Sequence, residues 1–362
     1  VTTATGGTAG KGGATAAGGS SSGGTTPGRG RDGGLGGVAG GSPGSGGGNP
    51  AGGAGAGGSG GTPGPTSSTL VNGYDGERPT TLNFDAAWKF NRGDVTGAQA
   101  EAFADDAWRA LNVPHDWSIE LAFNQSSASG SGGGYLDGGV GWYRKSFAIP
   151  STSQGSRIYL QFDGIYMDST VWVNGTQVAA RPYGYSSFEA DITTAAHVGG
   201  NNVVAVKVNN QLPSSRWYSG SGIYRHVWLK TVNPVHVAYC GAAITTPTVS
   251  ANSASISVAT DVQNQGAASQ SVYVSTSILG PDGTVVTSDK APAATVAAGG
   301  VQTFKQSLTV PSPTLWSTSS PTLYSAKIEV YAADAVTDTY VSRFGIRTFA
   351  FDANNGFSLN GK

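Results

Sequence analysis

The chain is poor in the residues that most often carry chemistry. Its 362 residues include one cysteine, one methionine, four histidines and five glutamates. Cys240 has no second cysteine to bridge to and no partner for a metal knuckle. The histidines, at 115, 197, 226 and 236, show no H-x-x-x-H spacing, so neither a metal nor a cofactor is expected. Charge is also scarce. With 21 basic and 22 acidic residues the net charge is -1, which offers no electrostatic footprint for nucleic acid or an anionic membrane. No apolar run approaches the ~20 residues needed to span a bilayer. Helical periodicity is nearly absent: "AQAEAFADDAW", Ala98 to Trp108, is the one stretch that could form a short helix, and Asp105-Asp106 counts against it.

Glycine is what the chain has in excess. Of 57 glycines, 29 fall within residues 1–64. Residues 1–68 are Gly, Ser, Thr, Ala and Pro with almost no large apolar side chain. Such a segment cannot bury enough surface to offset the entropy of ordering it, so it is expected to be a flexible tether. Gly does not recur every third residue, which excludes a collagen helix. The first residue is Val1, so any targeting sequence or preceding domain would lie upstream. The tether and the single cysteine suit a modular enzyme that is secreted or held at the cell surface.

From Thr69 onward the punctuation is that of an all-β protein, with short alternating runs broken by Gly, Asn, Asp and Pro. "RIYLQFDG" puts Ile158, Leu160 and Phe162 on one face. "NNVVAVKVNN" puts Val204, Val206 and Val208 on one face and Val203 and Ala205 on the other. "STVWVNGTQVA" reads as a hairpin turning at Asn174-Gly175. Near Val235 the composition shifts to Ser, Thr, Ala and Val, and about seven short strands follow, with a turn at Asp282-Gly283. That spacing suits an immunoglobulin-like sandwich, although the Cys…Trp…Cys signature is missing. The expected domains are therefore a linker at 1–68, a β-sandwich at 69–234 and an immunoglobulin-like sandwich at 235–346.

Several patterns could carry chemistry. The closing "GFSLNGK" matches G-x-x-x-x-G-K, a phosphate loop without its final Ser or Thr. A phosphate loop needs a buried strand before it and a helix after it. Here "FAFDANN" ends in turn formers and Asn360-Gly361 is itself a turn, so a strand and turn are expected instead. Outside the Gly-rich N-terminal segment no G-x-S-x-G supports a serine hydrolase. None of Glu77, Glu101, Glu120, Glu189 and Glu329 sits in a recognisable acid/base setting. Asp116, Asp163 and Asp168 read as turn and cap residues, and His226 reads as a half-buried sheet residue. The aromatic residues are more suggestive: "NQLPSSRWYSGSGIYRHVWL" gathers Arg216, Trp217, Tyr218, Tyr224, Arg225 and Trp228. Sugars bind by stacking their C–H faces on aromatic rings while polar groups fix the hydroxyls. Core and edge aromatics would give the same pattern.

"LNVPHDWSIE", "GVGWYRKSFAIP", "LQFDGIYMDSTVWVNGTQVAARPYGYSSFEADIT" and "NNVVAVKVNNQLPSSRWYSGSGIYRHVWL", in this order and spacing, resemble the N-terminal jelly-roll domain of glycoside hydrolase family 2. "SPTLWSTSSPTLYSAKIEV" and "RFGIRTFAFDANNGFSLNGK" resemble its immunoglobulin-like domain and exit strand. The resemblance covers roughly Asp75 to Lys362. It implies a retaining β-glycosidase, β-galactosides being the leading substrate and β-glucuronides or β-mannosides the alternatives. It further implies that residues 347–362 open a (β/α)8 barrel whose two catalytic glutamates would lie downstream of Lys362, so no residue here is assigned a catalytic role. The resemblance also implies that a jelly-roll loop helps bind the sugar. The matching positions are Asn209 and Asn210, with Arg216, Trp217 and Tyr218 nearby; relatives often show Asp-Asn where this chain has Asn-Asn. The expected partners are a carbohydrate substrate and the chain's own downstream barrel. The rival readings are a stand-alone carbohydrate-binding protein and a stalked adhesion protein built of β-sandwiches.

Overall fold

The alternating runs become strands, and their apolar faces meet. A computed structural model describes residues 75–214 and 217–362; the expected tether at 1–68 and Arg216 lie outside the described residues. The first ten strands are β1 (Thr81–Asn83), β2 (Trp88–Arg92), β3 (Arg109–Leu111), β4 (Gly139–Ala148), β5 (Arg157–Phe162), β6 (Ser169–Val173), β7 (Thr176–Arg181), β8 (Phe188–Asp191), β9 (Asn201–Asn210) and β10 (Val227–Val232). They form two antiparallel sheets, in the orders β3-β2-β4-β9-β6-β7 and β1-β10-β5-β8. Ile158, Leu160 and Phe162 of β5 pack with Val204, Val206 and Val208 of β9, and all six are fully buried. This is a jelly-roll sandwich with its core between the sheets. The turn at Asn174-Gly175 joins β6 to β7, which pair from Val173 with Thr176.

The outer face of β9 is covered too, which decides between helix and loop for the Ala98 to Trp108 stretch. Ala98 to Trp108 is a series of turns, not a helix. Ala100 N–H donates to Gly97 O at 2.9 Å and Trp108 N–H to Asp105 O at 3.0 Å. The segment lies over Ala205 and Trp142. Its carbonyls are taken by the buried Arg144 of β4, whose guanidinium donates to Ala100 O at 3.0 Å and to Glu101 O and Phe103 O at 3.3 Å each. A helix needs those carbonyls for its own ladder. A buried guanidinium left without them would cost far more than one turn of helix is worth.

The second sandwich comprises β11 (Val235–Val249), β12 (Ser253–Asn264), β13 (Gln270–Leu279), β14 (Val285–Lys290), β15 (Ala294–Val296), β16 (Val301–Pro311), β17 (Tyr324–Ala332) and β18 (Ala335–Phe344). One sheet runs β11-β12-β16; the other runs β14-β13-β17-β18, with β15 pairing β13. Burial alternates without a break along β12 and β17. Val, Ile and Ala side chains fill the place that a disulfide and tryptophan take in antibody domains. A hairpin of β19 (Phe349–Asp352) and β20 (Gly356–Leu359) follows. Beyond it, Asn360-Gly361 forms a turn in which Leu359 and Lys362 exchange main-chain hydrogen bonds of 2.9 and 3.1 Å. The G-x-x-x-x-G-K pattern thus lies on a strand and a turn, and the strand before it is exposed, unlike a phosphate loop. Among the described residues there is no closed barrel and no helix long and apolar enough to cross a membrane.

The two sandwiches are joined by buried charge. Arg78 donates to Asp75 at 2.8 Å, to Asp338 of β18 at 3.2 Å and to Val237 O at 2.7 Å. Lys230 of β10 donates to Asp75 at 2.9 Å and pairs with Glu189 of β8. Tyr340 donates its hydroxyl to Asp75 at 3.0 Å and accepts from Gly76 N–H at 2.7 Å. Burial alone would raise the Asp75 carboxyl, but the Arg78 and Lys230 charges outweigh it and hold the group at about 2. Nearby, His236 donates from Nδ1 to Asn233 O at 2.7 Å and accepts at Nε2 from the Gln263 amide at 2.6 Å. Burial and the positive Arg78 lower this imidazole to about 4, in keeping with a neutral ring.

Two outcomes follow from this junction. Arg78→Met strands two buried carboxylates and is expected to lower unfolding free energy in denaturant by about 3–5 kcal/mol. Adding Asp338→Asn should recover part of that loss. The folded-state pKa of His236 lies below its usual 6.5, so the unfolded chain takes up the proton first as pH falls. Stability is then expected to drop by about 3 kcal/mol between pH 6.5 and 4. Asp75 adds a further loss only below its usual 3.8. Denaturant unfolding across that range should show the slope, and His236→Gln should flatten it.

Candidate functional site

"NNQLPSSRWYSGSGIYRHV" leaves β9 at Asn210 and enters β10 at Val227. Pro213 removes a ladder donor and stops β9 from continuing. The segment then docks on two neighbouring loops. His115 N–H donates to Ile223 O at 2.8 Å, and Trp117 N–H donates to Ser221 O at 3.1 Å. Gly222 and Tyr166 exchange main-chain hydrogen bonds of 2.9 Å each. Gly222 sits at φ +126°, where a Cβ would lie 2.3 Å from the Tyr143 hydroxyl and 2.7 Å from His115 O. The Ser-Gly-Ser-Gly run is therefore required by close approach as well as by turn geometry.

Asp116 holds this arrangement together. One carboxylate oxygen accepts the N–H of Ser118 at 2.9 Å and that of Ser221 at 2.8 Å. The other accepts the Tyr218 hydroxyl. Burial, with the Asp116 charge, pushes the Tyr218 phenol up. The turn-residue reading of Asp116 captures its bond to Ser118; sequence spacing gives no sign of the contacts 102 and 105 residues away.

The positions suggested by the sequence fall into three settings. Asn210 is 2% exposed; its amide N–H groups donate to Ser221 Oγ at 2.7 Å and Gly220 O at 3.0 Å. Its Oδ1 is buried with no hydrogen-bond partner among the described residues. Asn210, Ser214, Trp217 and Tyr218 line a small cavity of about 10 Å3. Asn209 turns to the neighbouring loop instead, donating to Asp168 at 3.2 Å. Trp217 is 74% exposed. The structure thus brings Asn210, Trp217 and Tyr218 together, and adds Asp116, read from the sequence only as a turn residue, and Ser118 and Ser221, which sequence reasoning did not single out. Only the unusual density of Ser and Gly at 219–222 could have pointed to them.

The amide N–H groups of Asn210 and the hydroxyls of Ser118 and Tyr218 are engaged within the cluster; what it presents to a ligand is the acceptor Asn210 Oδ1 and the exposed Trp217 ring. Among the described residues each glutamate faces a basic side chain. Glu77, Glu120 and Glu329 lie within 2.8 Å of Arg343, 2.7 Å of Arg109 and 2.7 Å of Lys327. Glu189 pairs with Lys230, and Glu101 lies 3.9 Å from His197. His115, which touches the Tyr143 hydroxyl at 2.7 Å, is lowered by burial despite the neighbouring Glu120. No three His, Cys, Asp or Glu side chains come together to hold a metal among the described residues.

Residues 134–233 match the model of the family 2 glycosyl hydrolase sugar-binding domain, and residues 235–347 match that of glycosyl hydrolases family 2. The chain belongs to glycosyl hydrolases family 2. Among family 2 relatives, a beta-galactosidase of Bacteroides ovatus is 42% identical over 77% of this chain and 33% of its own length. A protein described as a putative beta-glucuronidase of Formosa agariphila is 40% identical over 77% of this chain and 26% of its own. A solved family 2 member from Bacteroides cellulosilyticus superposes with a TM-score of 0.76 at 39% identity, over 78% of this chain and 37% of that one. The chain therefore spans about a third of the length of the family 2 relatives it matches.

Removing the Asp116 carboxylate exposes its role. Asp116→Ala is expected to destabilise the fold by about 1–3 kcal/mol, since it strands two N–H groups and a hydroxyl. Amide exchange at Ser221 should accelerate about tenfold or more. Asp116→Asn, which keeps one acceptor, should retain most of the protection. Equal exchange rates in all three proteins would refute the anchoring role.

Proposed function

We propose that this chain is the non-catalytic N-terminal part of a retaining β-glycosidase that removes terminal β-linked sugars, β-galactosides foremost. The observation that carries the reading is the loop cluster around Asn210 at one end of a family 2 jelly roll. The unpartnered Asn210 Oδ1 can accept from a sugar hydroxyl, and the exposed Trp217 ring suits the C–H face of a pyranose. On this reading Asn209, Asn210, Arg216, Trp217 and Tyr218 contribute to binding. The chemistry belongs to a (β/α)8 barrel encoded beyond Lys362, where one glutamate donates a proton and another forms the glycosyl-enzyme. The jelly roll would wall the mouth of that barrel, and the second sandwich would act as a spacer.

The relative named a beta-galactosidase supports the galactoside reading. Relatives named as beta-glucuronidases favour a second reading. A glucuronide carboxylate would want a cation, and Arg216, next to Trp217 in sequence, is the candidate in this segment. A secreted or surface location completes the proposal, supported by the Gly-rich N-terminal composition and the single cysteine.

The 362-residue chain is expected to release no chromophore from an aryl β-galactoside. The product of the coding sequence read past Lys362 is expected to do so, with kcat/KM about tenfold above that for the aryl β-glucuronide. Turnover by the short chain, or a stop codon directly after Lys362, would defeat the reading. A reversed preference would move it to glucuronides.

A further inference from the structure

The loop between β7 and β8, "PYGYSS" at 182–187, presents two tyrosines that the core does not use. Tyr183 is 60% exposed and Tyr185 50% exposed. Their ring centroids lie 5.9 Å apart with the planes at 66°, an edge-to-face pair at the surface. The backbone between them is fixed from below. A Cβ on Gly184 would lie 2.3 Å from the Tyr166 ring, so only glycine lets Tyr166 seat beneath the loop. Tyr224 donates its hydroxyl to Gly184 O at 2.8 Å. Arg181 donates to Ser186 Oγ at 2.7 Å, and Asp168 N–H donates to Pro182 O at 3.1 Å. Ordering an exposed loop costs conformational entropy, and these anchors hold two large rings in place with half or more of each exposed.

The pair adjoins the site already described. Tyr185 packs on Tyr166 with centroids 4.9 Å apart. Tyr166 pairs through its main chain with Gly222, and its hydroxyl reaches Ser214 O at 3.5 Å. Both partners belong to the segment that carries Asn210 and Trp217.

We propose that Tyr183 and Tyr185 form an aromatic subsite for a second pyranose ring, next to the sugar read by the Asn209-Asn210 segment. Tyrosine offers a stacking face and a hydroxyl with only two side-chain torsions to order, and no charge that would call for an anion. The substrate is then the end of an oligosaccharide or glycan, not a simple glycoside. This inference rests on the reading of the parent protein as a β-glycosidase.

Two experiments separate the claims. With the 362-residue chain and β-1,4-galactotriose, saturation transfer from aromatic protons to the sugar is expected, and it should vanish in the Tyr183→Ala/Tyr185→Ala variant. Tyr183→Phe/Tyr185→Phe, which keeps the faces, should restore most of it. No transfer in the wild type, or equal transfer in the alanine variant, overturns the subsite. With the longer gene product, the alanine variant should lose about tenfold in kcat/KM on the trisaccharide while aryl β-galactoside hydrolysis stays within about twofold. Equal losses on both substrates, or none on either, also overturn it; the tyrosines would then be covered by protein or serve only the fold. If the longer product cleaves no glycoside at all, the β-glycosidase reading fails instead, and the binding experiment alone decides the subsite.

Discussion

The arrangement of this protein depends on a cluster of charges removed from water. Asp75 and Arg78 precede the first strand, Glu189 and Lys230 lie on one sheet of the jelly roll, and Asp338 lies on β18 of the second sandwich. Two apolar surfaces can slide across each other at little cost. A guanidinium with carboxylates on two of its edges and a main-chain carbonyl on a third cannot. Taking these groups out of water is expensive, and their mutual attraction repays it only in one geometry. The net gain in stability is therefore modest compared with the penalty for any other packing. The cluster acts as a positioning device, holding the end of β10 against the start of β11.

That rigidity bears on the proposed sugar site because its loops belong to the same sheets. The segments at 112–120, 163–168, 182–187 and 211–226 all leave jelly-roll strands, and they are tied to one another by main-chain hydrogen bonds. Asp116 adds a carboxylate that binds two N–H groups and a phenol from two of these segments. A sugar-binding surface made of loops would otherwise lose much of its affinity to the entropy of ordering them. Here the ordering cost falls in folding. The exposed rings of Trp217, Tyr183 and Tyr185 then stand on supports that are already in place.

Arg144 shows the same principle away from the site. One buried guanidinium in β4 takes the carbonyls of the 98–108 segment, and what alanine content alone would make a helix becomes a set of turns. Local propensity is worth tenths of a kcal/mol per residue, whereas an unsatisfied buried charge costs several, so the tertiary partner decides the backbone.

The sequence by itself determined the strands and the turn at Asn174-Gly175. Alternation and turn chemistry are local, and a side chain two residues away carries the same message as the sheet it will join. It also held the family resemblance, through motifs whose order could be read without coordinates. The tertiary structure alone decided the distant partners of Asp116, Arg144 and Arg78; the Asp338 carboxylate on Arg78, for example, comes from 260 residues away. Spacing along the chain carries no information about such pairs, because desolvation selects partners by where the fold brings them and not by their order in sequence.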